Sequence, residues 1–164
     1  MESLRYRKAR AEDMEAVMAL QTAVFHGEQL IPLDAVEAFL AMEPQCWVAE
    51  LDGVIVGTAA AWHEGGQLHW GRFIVTKALR GRHIGTKLAA FTFADLFAQG
   101  IDSIFMEASI FMEARDTTVA IVSKMGGTVA GDPVPFYKGT VTPVWLTKEA
   151  FAQYSQEMQN GCSL

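Results

Sequence analysis

Between residues 80 and 86 the chain reads Arg80-Gly81-Arg82-His83-Ile84-Gly85-Thr86. A strand is expected over residues 69–75, just before this run. A helix is expected to open from it and continue to about residue 99. Where a loop turns into a helix, successive backbone N–H groups point into one concavity. The helix dipole adds partial positive charge there. Such a nest suits a phosphate or pyrophosphate. Gly81 and Gly85 lack a Cβ and so permit unusual backbone angles and close approach of a ligand. The same turn also reads as an ordinary loop with glycines for tight packing. It is not a nucleotide P-loop, because Gly-x-x-x-x-Gly-Lys-Ser/Thr is missing. A dinucleotide glycine triplet with its later acidic residue is absent in proper form too.

Charge sharpens this reading. Arg72, Lys77, Arg80, Arg82 and Lys87 fall in one short window, and no Asp or Glu occurs between Glu64 and Asp95. The whole chain carries a formal net charge of −6. A basic field inside an acidic protein marks where an anion is steered and held. Nucleic acid is not an expected partner, since the basic residues surround one turn rather than cover a face.

The segment resembles the coenzyme-A-binding signature of the GNAT superfamily of N-acetyltransferases, Arg/Gln-x-x-Gly-x-Gly/Ala. Arg80 stands first, His83 stands at the first glycine, and Gly85 at the second. Phe73-Ile74-Val75 looks like the strand that pairs with the pantetheine arm. Ile84, Leu88 and Phe91 look like the apolar face of the helix behind the pyrophosphate loop. Residues 116–126 resemble the family's later helix, here ending Lys124-Met125-Gly126-Gly127. The likeness spans residues 4–146, with its motif identity concentrated in 73–88. It implies acetyl-CoA as acyl donor, no metal, and a coenzyme site made by Phe73, Ile74, Val75, Arg80, Gly81, Arg82, His83, Ile84, Gly85 and Thr86.

Two departures stand out. His83 replaces a glycine, and its Cβ narrows the allowed backbone angles. Val122 aligns where many members carry a tyrosine general acid, and valine cannot protonate a leaving thiolate. Acyl transfer to an amine needs both reactants held in one cleft. It also needs a base for the amine proton and a donor that polarises the thioester oxygen. The resemblance puts this centre where the fourth and fifth strands part, with the Val75 N–H as oxyanion donor. His69 and Glu107 are the candidate bases, and Tyr137 is a candidate acid on a loop over the acceptor site. Each has a plainer reading. His69 suits a surface or hydrogen-bonded core histidine, Glu107 a strand end at solvent, and Tyr137 a packing residue. Cys46 as an acyl-carrying nucleophile lacks a nearby His/Asp arrangement in sequence.

A chain of 164 residues suits one sizeable domain, taken here as residues 1–164. With 51% apolar and 20% charged residues it reads as globular. It has no run of about 20 apolar residues, so no membrane association is expected. The N-terminus reads as a charged strand rather than a signal peptide. Cys46 and Cys162 fit no metal or redox spacing, which suggests a reducing, cytoplasmic setting without a structural disulfide.

The elements that must position these residues alternate along the chain. A strand is predicted at 4–9, a helix at 12–25 and a second helix from Pro32 to about 42. Strands follow at 46–51 and 54–62, joined by Asp52-Gly53, a tight-hairpin signal. Glu64-Gly65-Gly66 turns the chain into the fourth strand. A fifth is expected at 101–108, a helix at 114–125, strand pieces near Thr128 and at 141–146, and an amphipathic helix at 148–158. This order fits a mixed α/β fold, a mixed sheet flanked by helices. The resemblance implies that its centre is a mostly antiparallel twisted sheet of six to seven strands, flanked by about four helices. Residues 104–108 recur as 110–114, Ile-Phe-Met-Glu-Ala in both, which reads as chance or a small local duplication.

From Arg10 to Arg72 the chain has no Lys or Arg, while Glu12, Asp13, Glu15, Glu28, Asp34, Glu37, Glu43, Glu50, Asp52 and Glu64 fall between them. In the resembling family the first two helices border the acceptor. An acidic acceptor side beside a basic donor side suits a small cationic amine, a polyamine or a basic peptide end. The same acids also read as solvated helix faces. Glu28 and Glu37 are the test positions for an acidic acceptor pocket. Two alternatives stay open. One is an N-acyltransferase using longer acyl-CoA or an acyl carrier protein, with Phe25, Phe39, Trp62, Trp70 and Phe73 lining an acyl tunnel. The other is a coenzyme-A-binding regulatory module without catalysis. The resemblance also allows a homodimer paired through strand edges near the C-terminus.

Overall fold

The computed structural model describes residues 3–110, 118–137 and 139–161. Eight strands form one sheet: β1 (Leu4–Lys8), β2 (Gln45–Leu51), β3 (Val54–Glu64), β4 (Gln67–Val75), β5 (Ser103–Ile110), β6 (Thr128–Val129), β7 (Val134–Phe136) and β8 (Gly139–Thr147). Their order is β1-β2-β3-β4-β5-β8-β6, and β7 pairs with β8 as well. Every pairing is antiparallel except β4 with β5. The predicted six to seven strands become eight because the stretch before β8 holds two pieces, β6 and β7, of two and three residues. Segments so short carry no readable alternation.

Local chemistry explains most element ends. Asp52 and Gly53 both take positive φ, 50° and 84°, as the twist of a two-residue hairpin demands. The predicted 12–25 helix is real but not uniform. A 3-10 turn at Ala11–Asp13 leads into α1 (Met14–Gln21), which widens into a π-helical turn at Thr22–Glu28. The helix from Pro32 likewise splits. α2 (Leu33–Glu37) tightens to a 3-10 stretch at Ala38–Met42 and stops where Glu43 turns left-handed, φ 50°. The long central helix is α3 (Ile84–Ala98). α4 (Thr118–Lys124) keeps the later part of the predicted 114–125 helix, whose first turn lies outside the described residues. So does most of the second Ile-Phe-Met-Glu-Ala copy; its Ile110 ends β5. α5 (Lys148–Gln159) starts with the Thr147 hydroxyl accepting the Ala150 N–H at 3.2 Å.

The sheet carries a core on each face. On one face α3, α4 and α5 cover Trp70, Ile104, Met106, Val144 and Leu146, with Leu88, Phe93 and Leu96 of α3 fully buried. On the other, α1 and α2 bury Val24, Phe25, Ile31 and Val36 against Ile74, and Phe39 against Cys46 and Ala60. Two aromatics suggested for an acyl tunnel, Phe39 and Trp70, are packed solid, and Trp70 donates from Nε1 to the Thr92 hydroxyl at 2.9 Å. Phe91, expected behind the pyrophosphate loop, turns outward against Tyr6, 39% exposed. The Cys46 thiol is buried and pushed up to about 11, which leaves no thiolate for acyl transfer.

Candidate active site

The site begins with a bulge in β4. Thr58 opposes Ile74 and Ala60 opposes Gly71, so Arg72 and Phe73 together face one residue of β3. Arg72 adopts φ 50° there. An extra residue inverts the strand's alternation. Before the bulge Trp70 faces α3. Beyond it Phe73 and Val75 face α3, and Ile74 enters the α1–α2 core. The bulge also ends the partnership with β5. The two parallel strands share a single register pair, His69 with Phe105. Past that point they part into a V whose walls are residues 70–75 and 106–110.

Backbone geometry aims one donor into the V. The Thr76 N–H bonds the Val56 carbonyl at 2.8 Å, which makes 56/76 a hydrogen-bonded pair. Val75, opposite Gly57, therefore sits in the alternate pair and turns its N–H and C=O away from β3. The Arg80 Nε takes that carbonyl at 2.9 Å. The Val75 N–H is left facing the gap.

The turn from β4 to α3 forms the second part. A 3-10 turn at Lys77–Leu79 leads to Arg80, and Gly81 takes φ 84°. His83 itself sits in the left-handed region, φ 63°, and precedes the first residue of α3. The substitution thus keeps the glycine-like backbone, at a cost of about 1–2 kcal/mol for an L-residue. A Cβ on Gly85 would lie 3.0 Å from the Phe73 ring and 3.4 Å from Val75. Glycine there lets the helix start rest against the strand. Lys77, Arg82 and Lys87 are exposed around this turn. A positive turn with a helix N-terminus behind it and an open strand edge beside it fits a pyrophosphate followed by an extended arm.

Two charges expected to act separately are tied up. The Arg80 guanidinium binds Glu28 through both nitrogens, at 2.9 and 3.1 Å. Glu28 is therefore the counter-ion of the β4–α3 turn and not a free acid for an acceptor pocket. Arg72 is not part of the anion field at all. Its guanidinium runs under α1 and α2, donating to Gln21 Oε1, the Val36 carbonyl and the Ala35 carbonyl at 3.1–3.2 Å. It lies over the Phe25 and Phe39 rings, and burial lowers its pKa. Several other acids of the long lysine-free stretch are also engaged. Asp13 and Glu50 pair with Arg7, and Glu12 with Arg10.

His69 and Glu107 emerge on the same face of neighbouring strands. His69 is level with Phe105, and Glu107 lies two residues further up β5, so both point to the α1–α2 side. The imidazole is stacked on Trp62 and edge-on to Phe105, with Nε2 3.7 Å from a Glu64 carboxylate oxygen. That is longer than a hydrogen bond. Glu107 is exposed. Tyr137 is the tip of the β7–β8 hairpin, 53% exposed and packed on Phe136. Glu107 opposes Pro143, and the hairpin closes at Gly139, about 13 Å further along β8 toward the open end of the V. Val122 is fully buried in the α4 core, so a valine there serves packing. The two arginine contacts across about fifty residues, Arg72–Gln21 and Arg80–Glu28, have no local sequence signal.

A sequence profile of the acetyltransferase (GNAT) family matches residues 12–116. The chain belongs to that family. Solved structures agree with it at the level of the fold. An acetyltransferase of the GNAT family from Staphylococcus aureus Mu50 is 17% identical, with 88% of this chain and 99% of that one covered at a TM-score of 0.67. An acyl-CoA N-acyltransferase from Pseudomonas aeruginosa is 16% identical, over 88% and 99%, at 0.70. An aminoglycoside 6'-N-acetyltransferase crystallised with coenzyme A is 14% identical, over 87% and 96%, at 0.67. No curated protein matches in sequence. The acetyltransferase uses acetyl-CoA as its donor. Among the described residues no cluster suits a metal ion, and no helix is long and apolar enough to cross a membrane.

Proposed function

We propose that this acetyltransferase transfers the acetyl group to the primary amine of a small cationic acceptor, by direct attack in a ternary complex. The observation that carries the reading is the V between β4 and β5, with the Val75 N–H turned into it and His69 and Glu107 on its acceptor face. Acetyl-CoA supplies a thioester carbonyl as electrophile. The turn at Arg80, Gly81, Arg82, His83, Ile84, Gly85 and Thr86 holds the pyrophosphate, and the edge of Phe73, Ile74 and Val75 holds the arm. The Val75 N–H stabilises the oxyanion. Glu107 or His69 takes the amine proton, directly or through water, as the N–C bond forms and the C–S bond breaks. Tyr137 or water returns a proton to the thiolate, since α4 offers no tyrosine at Val122. The cationic preference rests on net charge −6 and on Glu64 and Glu107 beside the aromatic floor of Trp62 and Phe105.

The test is thiol release from acetyl-CoA across a panel of polyamines, aminoglycosides, aryl amines and peptide N-termini. Turnover should be greatest with small polycations, and Glu107→Gln or His69→Asn should lower kcat about a hundredfold. Acetyl-CoA binding without turnover on any amine would contradict the reading and favour a regulatory module.

A further inference from the structure

The Arg72 side chain has a set of partners that the donor turn does not need. It is the inserted residue of the β4 bulge, held at φ 50°. The backbone there needs a residue that tolerates the left-handed region; it does not need a guanidinium. Yet the side chain makes three hydrogen bonds to α1 and α2. One goes to Gln21, which is 0% exposed, and two go to the Ala35 and Val36 carbonyls. Those carbonyls lie where α2 tightens into its 3-10 continuation, so the helix ladder is disturbed there. The charge lies over the Phe25 and Phe39 rings, 5.5 and 5.1 Å from their centroids. No carboxylate pairs with it among the described residues. A charge placed so is costly unless its donors are filled, and the planar fork fills three of them.

We propose that Arg72 is a positioning residue that locks the α1–α2 wall to the β4 bulge and so fixes the acceptor side of the V independently of the donor side. This rests on the acetyltransfer reading above. The backbone bulge sets the phase of Phe73–Val75 toward α3 and the donor. The guanidinium sets where α1 and the 3-10 stretch after α2 stand over Trp62, on which His69 stacks. One residue thus serves both halves through separable parts, its backbone and its side chain.

The separation makes the proposal testable. Arg72→Gly keeps a residue at home at positive φ and removes the fork; Arg72→Lys keeps the charge without the fork. Acetyl-CoA Kd, acceptor KM and kcat, and amide hydrogen exchange would be measured on the intact protein. In Arg72→Gly the donor Kd should stay within about twofold, while acceptor KM rises about tenfold or more. Exchange should accelerate over residues 21–38 and stay protected over 84–98. Arg72→Lys should fall between. Unchanged acceptor KM and unchanged exchange over 21–38 would overturn the proposal. So would equal losses of donor and acceptor binding with exchange accelerated throughout, which mark a purely structural role. If the wild type turns over no amine, the function reading fails separately, and exchange over 21–38 against 84–98 still decides whether the clamp exists.

Discussion

The proposed donor side and the proposed acceptor side of the V are built by different means. The first is mainly backbone: a positive-φ glycine, a left-handed His83, a helix start laid against Phe73 over Gly85, and the outward N–H of Val75. The second is side chains reaching across the fold: Arg72 to Gln21 and α2, and an aromatic floor of Trp62, His69 and Phe105. The pair Arg80–Glu28 joins the two. The contrast teaches where specificity can change freely. A backbone site tolerates few substitutions at its glycines. A side-chain wall can be altered residue by residue, and only at Glu28, the partner of Arg80, does such a change reach the β4–α3 turn directly.

The largest effect is expected from Gly85→Leu, which forces the Phe73 ring and the helix start apart. Acetyl-CoA affinity should fall about 10- to 100-fold in calorimetry while the α1–α2 face keeps its exchange protection. Next is Val122→Tyr, which restores the tyrosine of the family's later helix. Val122 is 0% exposed, so the new ring has no room. Thermal unfolding should show a loss of about 1–3 kcal/mol, and kcat should not rise. Glu28→Gln is smaller and tests assignment directly. Freeing Arg80 of its counter-ion leaves the donor turn more positive. Acetyl-CoA should bind about two- to fivefold tighter at low salt, and the gain should vanish at high salt, with acceptor KM unchanged. A raised acceptor KM would return Glu28 to the acceptor side.

The smallest effect is a pH dependence on the acceptor-side helix. Asp13 is held at about 2, first by its hydrogen bond from Arg7 and then by the Arg10 N–H, against 3.8 ordinarily. The folded pKa is depressed, so the stabilisation is fully present above about 4 and is lost as pH falls toward 2. Asp13→Asn should flatten the acid limb of the stability curve between those values and leave neutral-pH acetyl-CoA binding unchanged.

The same division explains what the sequence could reveal. The β4–α3 turn was legible because its signals are local: glycines at fixed spacing, a basic window, and an apolar helix behind. The Asp52-Gly53 hairpin and the amphipathic α5 were legible for the same reason. The bulge was not, because residues 69–75 end in three consecutive apolar residues, Phe73-Ile74-Val75, which leave the phase of the strand undetermined. The roles of Glu28 and Arg72 are illegible for one reason: the charges of their neighbours suggest an acid of the acceptor side and a base of the anion field, whereas their partners stand 52 and 51 positions away. The breaks in the first two helices follow the same logic. A π-helical turn and a 3-10 stretch are packing outcomes around Phe25 and Phe39 that periodicity alone does not encode. A Cβ at His83 narrows the allowed backbone angles, yet the residue adopts the left-handed conformation that glycine would take there.

The most direct test of the account is calorimetric titration of acetyl-CoA into the wild type and an Arg80→Ala/Arg82→Ala variant. The account predicts a wild-type Kd of roughly micromolar order, weakened at least about tenfold in the variant. Equal binding by both proteins, or none by the wild type, would contradict a donor site at the β4–α3 turn.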